Sequence, residues 1–232
     1  MKILLFVKNL ILDAVFPHKC VCGKFGYSLC DSCVQKIKIN KVELCPVCKK
    51  ISKNSKTCNS CRNNSGLTGV MILASHEGVI KDAIWNLKYN FIRDLALPLT
   101  GLLHKRFGAF LKEKRFVLTA VPISKKRLKW RGYNQADLMA KELARSCGLK
   151  YLNILSKSDD VIPQVGLSKK ERIQNIGNKI SLLSDINANE IANKRILIVD
   201  DVYTTGSTLE ECAKVLRKAG FKEVWGIVLS RD

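Results

Sequence analysis

The sequence predicts an α/β protein in which a parallel sheet is flanked by helices and preceded by a small cysteine-rich domain. Four short, continuous apolar runs have the length of buried strands, and the segments between them carry apolar residues at helical spacing. Eight of the ten cysteines fall between Cys20 and Cys61. A polar, turn-rich stretch at 62–66 separates the two parts, so we expect one domain at 1–66 and another at 67–232.

The apolar runs define the strands, and side-chain spacing defines the helices between them. The runs lie at 70–75, 115–121, 195–200 and 223–229. Three sets of apolar residues mark the buried faces of helices: Ile80, Ala83, Ile84 and Leu87; Ala136, Met139, Ala140, Leu143, Ala144 and Cys147; Leu209, Cys212, Ala213 and Leu216. Strands that alternate with helices favour a parallel sheet with helices on both faces. Such sheets bind ligands at the carboxyl ends of their strands.

The first twenty residues, MKILLFVKNLILDAVFPHKC, are apolar enough to resemble a signal peptide. They contain no small-residue cleavage site, and Lys8, Asn9 and Asp13 interrupt the apolar run. We therefore expect a short amphipathic helix that docks on the protein body, with membrane-surface binding as the alternative. No apolar segment of the sequence is long enough to span a bilayer. Closely spaced cysteine pairs fit a reducing compartment, which predicts a cytoplasmic protein.

The clustered cysteines form four pairs whose members are separated by one or two residues. The pairs are Cys20-x-Cys22, Cys30-x-x-Cys33, Cys45-x-x-Cys48 and Cys58-x-x-Cys61. One pair places two sulfurs on a metal ion, and a second pair completes the tetrahedron that zinc prefers. We expect one zinc ion on the first two pairs and another on the last two, although an interleaved pairing stays open. A disulfide scaffold is the alternative, and it requires an oxidising compartment.

The formal charge of +20 predicts an anionic partner. Seven lysines of the cysteine-rich region could line a phosphate backbone: Lys36, Lys38, Lys41, Lys49, Lys50, Lys53 and Lys56. A solvated, lysine-rich face explains them equally well.

The run ILIVDDVYTTGST at 196–208 joins an apolar strand to two aspartates and a loop rich in hydroxyl groups. Asp200 and Asp201 emerge at the carboxyl end of the strand, and a helix begins after the loop. The free N–H groups and the positive dipole end of that helix are suited to a phosphate. Gly206 allows close backbone approach. Hydroxyl donors are supplied by Thr204, Thr205, Ser207 and Thr208.

The two carboxylates would repel a phosphate unless the ligand also carries a sugar diol or a magnesium ion. A phosphorylated ribose satisfies both halves of the motif. The alternative is that Ser207-x-x-Glu210 forms a capping box, which would explain part of the loop as helix initiation. A capping box does not explain the aspartate pair.

A second, basic stretch follows the run at 115–121. Five of the seven residues from Lys125 to Arg131 are basic. The sequence Arg131-Gly132-Tyr133-Asn134 then leads into a helix, which provides a second N-terminus suited to phosphate.

The stretch 196–208 resembles the 5-phosphoribosyl-1-pyrophosphate (PRPP) binding motif of type I phosphoribosyltransferases, in which two acidic residues precede T-T-G-[SA]-T. This resemblance implies that Asp200 and Asp201 hold the ribose hydroxyls. It further implies that Tyr203 begins the PRPP loop and that residues 204–208 wrap the 5′-phosphate. The pyrophosphate loop, with magnesium bound alongside PRPP, would comprise Lys125, Lys126, Arg127, Arg131 and Gly132.

The order V-P-hydrophobic, basic stretch and R-G-[FY]-N-Q at 121–135 is similar to the ComF family of competence proteins. A further segment resembles the same family's Q-x-x-L-S-x-x-x-R-x-x-N pattern at Gln164, Leu167, Ser168, Arg172 and Asn175. The cysteine-rich N-terminal region is also typical of that family. The resemblance implies a type I phosphoribosyltransferase-like fold and a loop carrying Gln164, Arg172 and Asn175 that closes over the site. The chain departs from the family pattern at His76, Lys157, Val161 and Ile180.

Two functions are compatible with these features. The first is phosphoribosyl transfer from PRPP to a nitrogen nucleophile in nucleotide metabolism or salvage, with no role in DNA binding. The second is a PRPP-site protein that acts in DNA uptake, since the ComF family is associated with transforming DNA, which enters as single strands. Trp130, set among basic residues, could stack on a base or anchor its own loop. We favour the second function and leave catalysis open, because we identify no segment that would select a nucleobase. Other DNA-uptake proteins are candidate partners.

Overall fold

A parallel β-sheet is the central element of the computed structural model, which describes residues 19–158, 180–183 and 194–232. The strands in this part of the chain are β1 (Gly69–Ser75), β2 (Val117–Ala120), β3 (Lys150–Tyr151), β4 (Leu155–Lys157), β5 (Ile180–Leu182), β6 (Arg195–Tyr203) and β7 (Glu223–Arg231). Five of them lie side by side in the order β1-β7-β6-β2-β3, and every neighbouring pair is parallel. Strands β4 and β5 form a separate antiparallel pair. The predicted parallel sheet is confirmed.

Helices connect the parallel strands as the spacing of apolar residues predicts. The helices of the described residues are α1 (Asp31–Gln35), α2 (Asn59–Arg62), α3 (Gly78–Tyr89), α4 (Ala96–Lys114), α5 (Lys125–Arg131), α6 (Gln135–Cys147) and α7 (Ser207–Lys218). Every residue assigned to the three predicted apolar faces is buried, on α3, α6 and α7 respectively. None of these helices is long and apolar enough to cross a membrane. The predicted amphipathic helix within residues 1–18 lies outside the described residues.

Both faces of the sheet are buried beneath helices. In β6, Leu197 and Val199 face the core that contains α3, α4 and α6. Ile196 and Ile198 face the opposite core, which contains α7 and the β4–β5 pair. Successive side chains of a strand point to opposite faces, so a strand buried on both sides is apolar at every position. This burial explains why ILIV is continuous rather than alternating.

Helix α4 is the longest described helix, and the sequence pattern did not reveal it. Pro98 lies in its first turn, where a missing N–H is tolerated. Two glycines interrupt its apolar pattern, and one of them, Gly108, lies so close to the His104 ring that a β-carbon would be only 3.0 Å from it. Arg115, with φ of 52°, ends the helix in the left-handed region.

The cysteine-rich region packs directly on the sheet and on the core. The Asn40 amide donates to the Leu73 carbonyl at 2.8 Å, and the Thr57 amide donates to the Thr68 carbonyl at 2.9 Å. These bonds cover the edge strand β1, whose unpaired groups would otherwise be exposed. Buried residues of the first cysteine cluster, Cys20, Cys30 and Cys33, belong to the same core as α3, α4 and α6.

Helix α7 holds the stretch predicted as a linker. The Glu210 carboxylate accepts hydrogen bonds from the Ser65 hydroxyl at 2.8 Å and from the Gly66 amide at 2.6 Å. The Arg217 guanidinium donates to the Gly66 carbonyl at 2.8 Å and to the Thr68 hydroxyl at 2.9 Å. The polar stretch between the cysteine-rich region and β1 is therefore anchored by charged groups, and the boundary at residue 66 stays a prediction.

Candidate functional site

A cleft of about 610 Å³ opens at the carboxyl edge of the sheet. Its walls include the carboxyl end of β6, the residues after β2, the end of β4, and parts of helices α3, α5, α6 and α7. Parallel strands place their carboxyl ends at one edge, so segments far apart in the sequence meet there. Asp200, Asp201, Thr204, Thr208 and Arg131 are among the predicted site residues that line this cleft.

The two aspartates have different surroundings. Asp201 is 3% exposed, and both of its carboxylate oxygens are engaged. One accepts from the Gln135 amide at 2.7 Å, and the other pairs with the Lys88 ammonium at 2.5 Å. Asp200 accepts a hydrogen bond from the Asp201 amide at 2.9 Å and is only partly buried. Asp200 is consequently the more available carboxylate, whereas Asp201 organises the base of the cleft.

The pKa of the Asp200 carboxyl is raised from 3.8 to about 7. Burial is the largest cause, because a charged carboxylate loses its hydration in the cleft wall, and the neighbouring Asp201 charge adds to it. The Lys88 and Lys157 ammonium groups act in the opposite direction. A cation that binds together with a ligand would lower this raised pKa and favour the charged form.

The loop after β6 presents hydroxyl groups in front of a helix N-terminus. Thr204, Thr205 and Ser207 are exposed, and the Thr205 hydroxyl donates to the Ser207 hydroxyl at 3.0 Å. Helix α7 has Gly206 as its N-cap residue, and no side chain caps it. The alternative explanation of the loop as a capping box is wrong, because Glu210 bonds to Ser65 and Gly66 instead. The helix N-terminus is only partly free, because the Ser207 amide donates to the Thr205 hydroxyl at 3.3 Å.

Tyr203 fixes the conformation of this loop instead of facing the cleft. Its ring is buried, and its hydroxyl donates to the Pro46 carbonyl of the cysteine-rich region at 3.0 Å. Gly206 has a φ of +78°, and a β-carbon on it would collide with the Tyr203 ring. Both the left-handed backbone and the close approach therefore require glycine.

The basic stretch forms helix α5, where the resemblance implied a loop. The Ser124 hydroxyl caps this helix by accepting from the Arg127 amide at 3.2 Å, and Gly132 ends it with a φ of +74°. Arg127 and Arg131 line the cleft, whereas Lys125, Lys126 and Gly132 do not belong to its described lining.

Arg131 is the buried cation of the cleft, at 7% exposure. One of its terminal nitrogens donates to the Gln135 side chain, which in turn donates to Asp201. Its Nε has no hydrogen-bond partner among the described residues. Buried donors without a partner are rare, and because Arg131 also lines the cleft, its guanidinium is a candidate to bind an anion there.

The eight clustered cysteines form two four-sulfur groups with the predicted membership. Cys20, Cys22, Cys30 and Cys33 form one group, and Cys45, Cys48, Cys58 and Cys61 form the other, with all sulfurs of a group within 4.8 Å of one another. Two Sγ–Sγ distances, Cys22–Cys30 and Cys48–Cys58, are 3.7 and 3.6 Å. Zinc–sulfur bonds of about 2.3 Å in a tetrahedron place sulfurs about 3.8 Å apart. Each group could hold a zinc ion, and all ten cysteines are free of disulfides.

A serine in each group supports the thiolate form that zinc requires. Ser32 contacts the Cys30 sulfur at 3.1 Å, and Ser60 contacts the Cys58 sulfur at 3.2 Å. These hydrogen bonds are the largest cause that lowers the pKa of each thiol from 9.0 to about 6. The repeated Cys-x-Ser-Cys spacing thus gives the two groups the same local chemistry.

Comparison with known proteins identifies the family. Residues 128–231 match the phosphoribosyl transferase domain family. Competence protein F of Haemophilus influenzae is 33% identical, over 85% of this chain and 95% of that protein. The chain belongs to the ComF family. Competence protein ComFC of Streptococcus pneumoniae is 30% identical over 84% of each chain. The DNA utilization protein YhgH of Escherichia coli is 26% identical, over 86% of this chain and 89% of that protein.

ComF membership confirms the resemblance read from the motifs, and the parallel sheet agrees with a phosphoribosyltransferase-like fold. The five predicted residues of the ComF pattern, Gln164, Leu167, Ser168, Arg172 and Asn175, lie outside the described residues. The sequence analysis missed Lys88 as the partner of Asp201, because a lysine on a helix is usually solvated. It also missed Trp85 and Tyr89, which line the cleft together with Trp130.

Proposed function

We propose that this ComF-family chain binds PRPP with magnesium in the carboxyl-edge cleft and serves in the handling of DNA during uptake. The PRPP assignment rests on the convergence, in one cleft, of a partly exposed carboxylate, the hydroxyl-rich start of a helix and two arginines. Each of these groups matches one part of PRPP: the ribose diol, the 5′-phosphate and the pyrophosphate.

The assigned roles follow from these surroundings. Asp200 would accept hydrogen bonds from the ribose hydroxyls, and Asp201 would hold Lys88 and Gln135 in place. Residues 204–208 would surround the 5′-phosphate, with Gly206 allowing the backbone amides to approach it. Arg127 and Arg131 line the cleft and would bind the pyrophosphate.

Magnesium fits the chemistry of this cleft because Asp200 is an accessible oxygen ligand beside a region for phosphates. When bound with PRPP, the ion would neutralise part of the pyrophosphate charge. Arg127 and Arg131 would stabilise the same charge if the pyrophosphate departs, which is one requirement of phosphoribosyl transfer.

The DNA part rests on the relatives and on charge. Competence protein F, ComFC and the DNA utilization protein YhgH carry names that refer to competence or DNA, and this chain has a formal charge of +20. A basic protein of this kind is suited to a polyanion. We place the function in the cytoplasm, where thiols stay reduced and available to zinc.

Isothermal titration calorimetry with three ligands tests the PRPP part. In magnesium buffer, PRPP should bind one to one and more tightly than either ribose 5-phosphate or pyrophosphate, because each of those fills only half of the cleft. Thr204→Val should weaken the binding of ribose 5-phosphate more than the binding of pyrophosphate. Arg131→Lys should weaken the binding of pyrophosphate more. PRPP affinity no higher than that of ribose 5-phosphate would contradict the two-part site. Pyrophosphate release upon addition of nucleobases then decides whether the site turns over.

A further inference from the structure

Four aromatic side chains form an exposed group at the rim of the cleft. This ring cluster consists of Trp85, Tyr89, Phe91 and Trp130, each between 43% and 57% exposed. Ring centroids are 4.4 Å apart for Trp85 and Tyr89, 6.3 Å for Tyr89 and Trp130, and 5.2 Å for Phe91 and Trp130. Two of the chain's three tryptophans therefore lie on a solvent-exposed surface.

The fold holds these rings together from two separate segments. Trp85 and Tyr89 are one helical turn apart on α3, so they share a face. Trp130 comes from α5 and meets them across the cleft rim. Phe91 has a φ of 58°, a left-handed conformation that is unfavourable for a bulky residue. Such backbone strain is characteristic of functional sites, and here it accompanies the edge-on contact between Phe91 and Trp130.

Positive charge surrounds the ring cluster. The Arg131 guanidinium lies 5.6 Å from the Tyr89 ring centroid and 5.8 Å from that of Trp130. Lys81 and Arg127 line the same cleft as Trp85 and Trp130. The acidic pair at the base of the cleft is partly compensated, since Asp201 is bound to Lys88. Exposed flat rings between cations match a ligand that has both aromatic faces and phosphates.

We propose that the ring cluster stacks the unpaired bases of a DNA single strand, while neighbouring Lys and Arg side chains contact its phosphates. This inference rests on the proposed role in DNA handling and gives that role a location. A duplex hides the faces of its bases and cannot use the rings, whereas every base of a single strand has an accessible π-face. The strand would lie at the mouth of the PRPP cleft, because Trp85, Tyr89 and Trp130 line that cleft. This location differs from the lysine-rich face of the cysteine-rich region.

Fluorescence anisotropy with a labelled oligothymidylate of about 20 nucleotides, enough for one stacking site, tests the proposal. Trp85→Ala and Trp130→Ala should each weaken binding at least about fivefold, because stacking a base changes affinity roughly 5- to 150-fold. The salt dependence should keep its slope, since no cation is removed. Trp130→Phe should retain most of the affinity. Phe25→Ala is the matched control, as Phe25 is 57% exposed but belongs to the cysteine-rich region.

Several results would overturn the proposal. One such result is wild-type affinity for DNA in both tryptophan variants. The DNA site would then be assigned to the cysteine-rich region if the salt slope flattens after five of its lysines are replaced with Ser: Lys36, Lys38, Lys49, Lys50 and Lys53. Equal affinity for duplex DNA would also contradict it. Tryptophan-dependent binding of free nucleobases, without oligonucleotide binding, would make the rings an acceptor pocket instead.

A PRPP titration of the same proteins separates this inference from the proposed function. If the protein binds PRPP and its DNA binding does not depend on the tryptophans, only the proposed role of the ring cluster is overturned. PRPP binding with no DNA binding by the wild type overturns the DNA role as well. If DNA binding depends on the tryptophans but PRPP does not bind, the role of the ring cluster is supported and the assignment of the cleft to PRPP is wrong. Circular dichroism and zinc content verify that each variant is folded.

Discussion

Replacing Asp200 with Asn should make the free energy of unfolding less sensitive to pH between pH 6 and pH 8. Folding raises the pKa of the Asp200 carboxyl from 3.8 to about 7, mainly through burial. The folded chain then binds this proton more tightly than the unfolded chain does. The free energy of unfolding therefore falls as pH rises through this window, and the cost is complete above about pH 7.

The magnitude follows from the two pKa values. Below pH 3.8 the carboxyl is protonated in both states and contributes nothing, whereas above pH 7 it is charged in both and destabilises the folded chain. Between pH 6 and pH 8 the free energy of unfolding should fall by about 1 kcal/mol on account of this group. Asp200→Asn keeps the shape of the side chain and cannot ionise, so it should lack this decrease.

Urea unfolding, followed by tryptophan fluorescence in zinc-containing buffer, measures the effect. For each protein, the decrease in the free energy of unfolding from pH 6 to pH 8 is measured. The decrease for the wild type is then compared with the decrease for Asp200→Asn. Asp82→Asn, an exposed position on α3, is the control and should follow the wild type. Equal decreases for the wild type and Asp200→Asn would refute the claim that a partly buried carboxylate is maintained in the cleft at the expense of stability.

Three further predictions concern the cysteine groups, the phosphate loop and the linker. Metal analysis should find two zinc ions per chain, and Cys30→Ser should lower the melting temperature more than Cys58→Ser, because Cys30 lies in the main core; a chain without zinc, or a larger effect of Cys58→Ser, would contradict this. Gly206→Ala should weaken PRPP binding at least about tenfold, since the left-handed backbone and the Tyr203 ring both exclude a β-carbon; calorimetry showing unchanged affinity would argue against a rigid loop. Glu210→Ala should reduce the free energy of unfolding by about 1–3 kcal/mol and expose residues 62–66 to proteolysis, because two hydrogen bonds to a carboxylate are lost; protection equal to that of the wild type would show that other contacts hold the linker.

The sequence was most informative where burial is periodic and a motif is local. The faces of α3, α6 and α7 were predicted residue by residue, because apolar spacing directly reflects burial on a helix. The membership of the two cysteine groups was predicted from spacing, since short loops bring neighbouring pairs together. Asp200, Asp201 and Thr204 could be placed at one edge of the sheet because strand direction determines where they emerge.

Features that depend on tertiary contacts were not predictable. Helix α4 has glycines and a proline that weaken its pattern, and its stability comes from packing. The family resemblance implied a loop at 125–131, yet Ser124 caps a helix there. Lys88 pairs with Asp201, and the Tyr203 hydroxyl bonds to the Pro46 carbonyl. Each pair is separated by more than a hundred residues, so neither leaves a local signal in the sequence.

Calorimetric titration of PRPP with magnesium, on the wild type and on the Asp200→Asn/Asp201→Asn double variant, tests the central claim most directly. The wild type should bind one PRPP per chain. The double variant should remain folded and bind at least about tenfold more weakly, because charge-assisted hydrogen bonds contribute roughly 1.5–3 kcal/mol each. The same affinity in both proteins, or no PRPP binding by the wild type, would contradict the assignment of this cleft to PRPP.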